Sequence, residues 1–166
     1  MKSSKPPIYV MDTHTLVWFA KGHAQRLGVN SLLVLIHPRA RLVVPIYALE
    51  EIERRFTPRI NSPNYINIPP TALLRLLHHC ANVRILPRGS ACLAKEFQLR
   101  HLVQMHIENI PSQDIPIAAA VLVVRDYHHG RVVLLTSDGK LKAWATRIGV
   151  SVITSGIPIR HLPSGR

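Results

Sequence analysis

Nine acidic side chains in a chain of 166 residues are few enough to be read one by one. Four stretches set an acid beside an apolar run. In "IYVMDTHTLVWFA", Asp12 follows four apolar residues. In "VVPIYALEEIERR", Glu50, Glu51 and Glu53 follow a β-branched run. In "PSQDIPIAAAVLVV", Asp114 precedes the most apolar segment of the chain. In "VVLLTSDGKLKAWA", Asp138 comes three residues after a run of four apolar ones. A carboxylate among core-forming residues is costly to bury unless it is paired, hydrogen-bonded or bound to a metal. Each acid alone has an ordinary explanation, since Asp is a favoured helix N-cap worth about 1 kcal/mol. Together they suggest more. Carboxylates sharing a small crevice repel and raise one another's pKa. A divalent cation relieves that conflict, and an all-oxygen set completed by waters suits Mg2+ or Mn2+.

The remaining charge points the same way. Lys and Arg number 21, so the net charge is +12 although only 18% of residues are charged. Such a balance implies a polyanionic partner: nucleic acid first, an acidic protein segment second, an anionic membrane third. An acidic crevice on a basic protein has an economical chemistry, in which cations hold a phosphate backbone and a metal acts on one phosphodiester.

The elements that must position these acids alternate. Strands are expected at Ile8–Met11, Leu42–Pro45, Val83–Leu86, Val132–Leu135 and Val150–Ile153. Helices are expected at Thr13–Lys21, Ser31–His37, Ala48–Phe56, Thr71–Asn82, Ala91–Gln104, Asp114–Tyr127 and Asp138–Ile148, the last ended by Gly149. Phe56 to Pro70, rich in Pro and Asn, reads as a loop. Residues 1–7 read as a flexible basic arm, 8–154 as one domain and 155–166 as a tail. Strands separated by helices imply a mainly parallel sheet, its apolar strands buried between helical layers: a three-layer α/β/α fold. Sites in such sheets form beyond the carboxyl ends of the strands, where strand order reverses. Asp12 falls there, and Asp12, Asp114 and Asp138 all lie at helix beginnings.

The segments "VMDTHTLVW", "VPIYALEEI", "DIPIAAAVLV" and "LLTSDGKLKAW" come in the order and spacing of the PIN-domain ribonucleases. Over about Tyr9 to Ile153 the chain resembles most closely the VapC-type members, the toxins of bacterial toxin–antitoxin pairs. The resemblance implies a PIN-like fold and metal-dependent endonucleolytic cleavage of RNA, leaving 5′-phosphate and 3′-hydroxyl ends. It places the catalytic, metal-holding acids at Asp12, Glu51, Asp114 and Asp138, with Mg2+ or Mn2+ as cofactor. Thr13 and Thr136 would be supporting hydroxyls that orient acids or water. It also implies a homodimer held inactive by a small antitoxin. Two points depart from the pattern or stay open. Pro45 stands where many relatives have serine. Helical periodicity does not separate Glu51 from Glu50, because the apolar stripe runs through Leu49, Ile52 and Phe56.

Other residues weigh less. Arg54, Arg55, Arg59, Arg84, Arg88, Lys140 and Lys142 are candidates for phosphate contacts, with Arg54, Arg55 and Lys140 nearest the acidic segments. Ten histidines raise the question of zinc, but neither His78-His79-Cys80 nor His101 with His106 has a structural-zinc spacing. His14 reads as packing or support beside Asp12, and Trp18 and Trp144 read as core anchors. Cys80 and Cys92 form no disulfide framework and fit a reducing compartment. The basic start leads into no signal-like apolar core, and Ile115–Val124 is too short to span a bilayer, so a cytoplasmic protein is expected. A haloacid dehalogenase-type phosphatase would carry a second aspartate at position 14, where histidine stands. The rival from another class is a non-catalytic, basic PIN-like module that binds RNA or an acidic protein.

Overall fold

The computed structural model describes residues 5, 7–13, 15–16, 41–56, 83–128, 131–136 and 138–153. The helices expected at Ser31–His37 and Thr71–Asn82, the loop after Phe56, most of Thr13–Lys21, most of the arm and the C-terminal tail lie outside them.

Five strands form one parallel sheet: β1 (Ile8–Met11), β2 (Arg41–Pro45), β3 (Val83–Leu86), β4 (Val132–Leu135) and β5 (Ser151–Ile153). Their order is β3-β2-β1-β4-β5. Tyr9 is aligned with Leu42 on one side and Val133 on the other. Outward from these, Val44 meets Ile85 and Leu134 meets Val152. All of β1 and β4, and β2 apart from Arg41, are buried. Side chains alternate between the faces of a strand, so a wholly buried strand requires cover on both. The three-layer α/β/α expectation thus holds at the centre of the sheet. Cover is thinner at its edges. Arg84 and Ile85 of β3 are exposed, and β5 is only half-buried. An edge strand lacks one neighbour, and the charge on Arg84 blunts it against further pairing.

The described helices are α1 (Ile46–Phe56), α2 (Ser90–Gln104), α3 (Ile115–Tyr127) and α4 (Gly139–Arg147). Helix α3 is apolar nearly all round, as a helix enclosed on most sides must be, and nine of its 13 residues are buried. It packs on α2 and also meets α1 and β4. Lys95 of α2 pairs with Asp126 of α3 at 2.9 Å. The core joins Val10, Val44, Leu134, Val121, Leu141 and Trp144, all 2% exposed or less. Trp144 is therefore the expected core anchor. Trp18 lies outside the described residues. Among those residues, no helix is long and apolar enough to cross a membrane.

Two helices end in the same way with different residues. After α4, Gly149 has φ +80°, and its N–H bonds the carbonyl of Thr146 while that of Val150 bonds Ala145. After α2, His106 has φ 58°, with its N–H on Val103 and that of Ile107 on Leu102. Both are Schellman ends, whose left-handed residue is ordinarily glycine. A side chain in that region costs roughly 1 kcal/mol. Gly149→Ala should therefore lower stability by about 1 kcal/mol and His106→Gly should raise it by a similar amount. Urea unfolding midpoints check both, and equal midpoints for all three proteins would contradict it.

Candidate active site

The chain leaves β1 for β2 and β3 on one side, then returns to place β4 and β5 on the other. The switch point lies between β1 and β4, and Asp12 stands at it. Its N–H continues the ladder to the Leu135 carbonyl at 3.1 Å. Its side chain is buried, and both oxygens have donors. Oδ1 accepts the N–H of Thr15 at 2.8 Å, and Oδ2 accepts the hydroxyl of Thr136. The first bond caps the helix that opens at Thr13, as its position predicts. The second reaches across to the end of β4. A carboxylate has about four acceptor positions, so each oxygen keeps capacity beyond these bonds.

Thr136 is fully buried and works in both directions. Its hydroxyl donates to Asp12 and accepts the N–H of Asp138 at 3.1 Å, while its own N–H bonds the carbonyl of Ile153. Asp138 in turn caps α4, with Oδ1 accepting the Leu141 N–H at 2.8 Å. On the other side of Asp12, the Thr13 hydroxyl donates to Oε2 of buried Glu51 at 2.6 Å. The Thr136 hydroxyl thereby joins the Asp12 carboxylate to the backbone of Asp138, and Thr13, next to Asp12 in the chain, holds Glu51. Glu50, which periodicity left level with Glu51, is exposed, and its charge acts on Arg88 instead. The Glu53 side chain lies outside the described residues.

Asp114 stands at the start of α3, as expected, in the N-cap position. It closes a 3-10 turn, Ser112–Asp114, with helical backbone angles, and its side chain makes no capping bond to α3. Pro116, two residues on, lines a cleft with Pro45 and Leu86, the last residues of β2 and β3. That brings the start of α3 to the carboxyl edge of the sheet. Among the described residues, no three of His, Cys, Asp or Glu converge as the ligands of one ion would. The donors nonetheless suit Mg2+ or Mn2+ in kind, being carboxylate oxygens. His14 lies outside the described residues, as do His78, His79 and Cys80.

Of the basic candidates, Arg54 and Lys140 are exposed, and the Arg55 side chain lies outside the described residues. Arg54 and Arg88 each place a guanidinium 5.5 Å from the centroid of the Tyr47 ring. Such contacts are worth about 0.5–1 kcal/mol at exposed sites. Arg88 also grips Glu96 through two parallel bonds, Nε to Oε1 at 2.8 Å and Nη2 to Oε2 at 2.7 Å. The bond to Glu96 raises the Arg88 pKa above its ordinary value. Burial pushes the nearby Cys92 thiol up, with the charge of Glu96 acting in the same sense, and it is the buried, free thiol expected. Sequence reasoning did not single out Glu96. Its partner lies eight residues earlier, in the connection before α2, and no helical or strand spacing joins the two.

Solved structures share this fold. VapBC2 from Rickettsia felis, bound to a DNA fragment from their promoter, matches with a TM-score of 0.59 at 16% identity, over 89% of this chain and 98% of that one. VapBC-1 from nontypeable Haemophilus influenzae gives 0.57 at 16%, over 89% and 97%. FitAcB from Neisseria gonorrhoeae gives 0.54 at 17%, over 93% and 99%. No family model and no curated protein matches the chain. At these identities the likeness is one of fold: the chain shares the α/β architecture of chains in these complexes, a parallel sheet flanked by helices.

The threonine bridge gives a direct test. Thr136→Val keeps the shape and removes the donor to a buried carboxylate, which should cost about 2 kcal/mol. Thr136→Ser keeps the hydroxyl and should lose clearly less. Urea denaturation of both variants measures this, and a Val variant as stable as the Ser variant would contradict the bridge.

Proposed function

We propose that this chain is a metal-dependent endoribonuclease, the toxin of a toxin–antitoxin pair, restrained by a small antitoxin and working as a homodimer. The observation that carries the reading is the bonded chain Glu51–Thr13, Asp12–Thr136–Asp138 at the switch point of a strongly basic protein. Its position agrees with the rule that open α/β sheets act at their carboxyl edge. The fold shared with chains from VapBC and FitAcB complexes supports the antitoxin as partner.

Asp12, Glu51, Asp114 and Asp138 would hold Mg2+ or Mn2+. When bound, such an ion makes water a better nucleophile and stabilises charge gathering on a phosphate. The protein's own residues prepare for that chemistry. Thr136 and the Thr15 N–H fix the Asp12 carboxylate from two directions, so it loses little freedom on receiving a ligand. Thr13 does the same for Glu51. Asp138 caps the start of α4, and exposed Lys140, two residues on, would be a phosphate contact. Arg54, with Arg55 beside it in sequence, would extend that contact along α1. In-line attack on phosphorus would leave 5′-phosphate and 3′-hydroxyl ends.

The test is cleavage of a structured RNA by the purified protein. Cleavage should require added Mg2+ or Mn2+, stop in EDTA and be abolished by Asp12→Asn, with RNA binding largely retained. Cleavage by Asp12→Asn at the wild-type rate would refute the assignment. RNA binding without cleavage in either metal would instead indicate a non-catalytic module.

A further inference from the structure

We propose that Arg88, set by the buried carboxylate of Glu96 and lying by the ring of Tyr47, is a phosphate-binding residue for RNA beside the acidic crevice. The inference rests on the ribonuclease reading and adds to it a subsite with its own positioning residue.

A guanidinium carries five N–H donors in a rigid fork. Glu96 takes the side-on edge of Arg88, through Nε and Nη2. The end-on edge, with the second hydrogen of Nη2 and both of Nη1, is left for another acceptor. Exposure divides the pair in the same way: the Arg88 side chain is 36% exposed and that of Glu96 5%. The carboxylate is sealed inside while the cation is presented at the surface. As a stabilising device this is a poor arrangement, because withdrawing a carboxylate from water offsets much of its attraction to a partner. As an orienting device it is effective, since a fork already held in place loses little freedom on gripping an anion.

The surroundings fit a nucleic-acid backbone. Arg88, Glu96 and Tyr47 line the same cleft as Pro45, Leu86 and Pro116, so the subsite lies where β2 and β3 end and α3 begins. Tyr47 is one turn before Glu51 on α1, and Arg54 is two turns after Tyr47, so the three share one stripe of that helix. Two guanidiniums stand beside one half-buried aromatic ring, one turn from Glu51, the acid held by Thr13. A strand whose scissile phosphate met the acids would find Arg88 and Arg54 along its neighbouring phosphates, and phosphate oxygens match the arginine fork.

Binding of a short fluorescein-labelled single-stranded oligouridylate, followed by anisotropy in EDTA, tests this, with circular dichroism melts confirming that each variant is folded. Arg88→Ala should weaken binding about fivefold and make the log–log salt dependence shallower by about 0.7, the loss of one phosphate contact. Arg88→Lys, which keeps the charge and the pairing with the buried acid, should keep the salt slope but recover only part of the affinity. Glu96→Gln separates positioning from bulk charge. It removes a negative charge, so general attraction predicts tighter binding, whereas loss of positioning predicts weaker binding. Wild-type or tighter binding by Glu96→Gln, or wild-type binding by Arg88→Ala in a protein that cleaves RNA, overturns the proposal alone. A wild-type protein that neither binds oligouridylate nor cleaves RNA overturns the ribonuclease reading with it. If Arg88→Ala loses a labelled oligoglutamate but keeps RNA, the residue serves an acidic protein partner and the proposal fails.

Discussion

The carboxylate of Asp12 is the constraint around which the middle of this protein is arranged. It is buried between two strands whose residues are far apart in sequence, and a charge in that position must find donors on every side. One is the open N-terminus of the helix that follows it, and the other is the Thr136 hydroxyl at the end of β4. Those bonds require β1 and β4 to be neighbours with their ends level, which the pairing of Met11 with Leu135 provides. Thr15 reinforces the junction, its hydroxyl bonding the Leu135 carbonyl at 3.0 Å. Parallel pairing, helix start and acid geometry are thus one arrangement seen from three directions.

Around that centre the two signs of charge are treated differently. Asp12, Glu51 and Glu96 are buried, each with a hydrogen-bonding partner from elsewhere in the fold. The cations nearby, Arg54, Arg88 and Lys140, stay partly or fully in solvent. The result is a sheet edge with fixed carboxylates beneath and arginines at the rim. A phosphate chain approaching this edge would meet attraction first and the acids last, an order that favours a polyanion over a free cation as the first visitor.

Much of this was legible in the sequence because burial and capping leave short-range marks. Short, largely apolar segments located β1, β3 and β4 to the residue, and β2 and β5 to within one. Gly149 marked the end of α4 because only a left-handed residue completes that turn easily. Asp12 and Asp138 announced themselves as caps, and both do cap. What failed to show depends on contacts between distant segments. Glu51 and Glu50 differ only in which reaches Thr13, a fact of tertiary packing. Asp114 takes the cap position of α3 but makes no side-chain capping bond there, and it also closes a 3-10 turn. Glu96 left no trace, because its partner sits in a connection whose path no periodicity reveals. The grouping of the four acids came from the resemblance to PIN domains and not from single-residue propensity, and among the described residues no three of His, Cys, Asp or Glu converge as the ligands of one ion would.

The Asp12–Thr136 bond spans 124 positions of the chain. Contacts of such separation form late, since a long loop must close before they repay its entropy. During synthesis, Asp12 emerges early and waits for β4 to arrive beside its own strand. A nascent chain therefore carries its first acid without the hydroxyl that aims it, and the crevice is assembled only when the segment bearing Thr136 and Asp138 docks. The topology thus acts as a timer: the junction of Asp12, Thr136 and Asp138 comes with completion of the sheet, and not before.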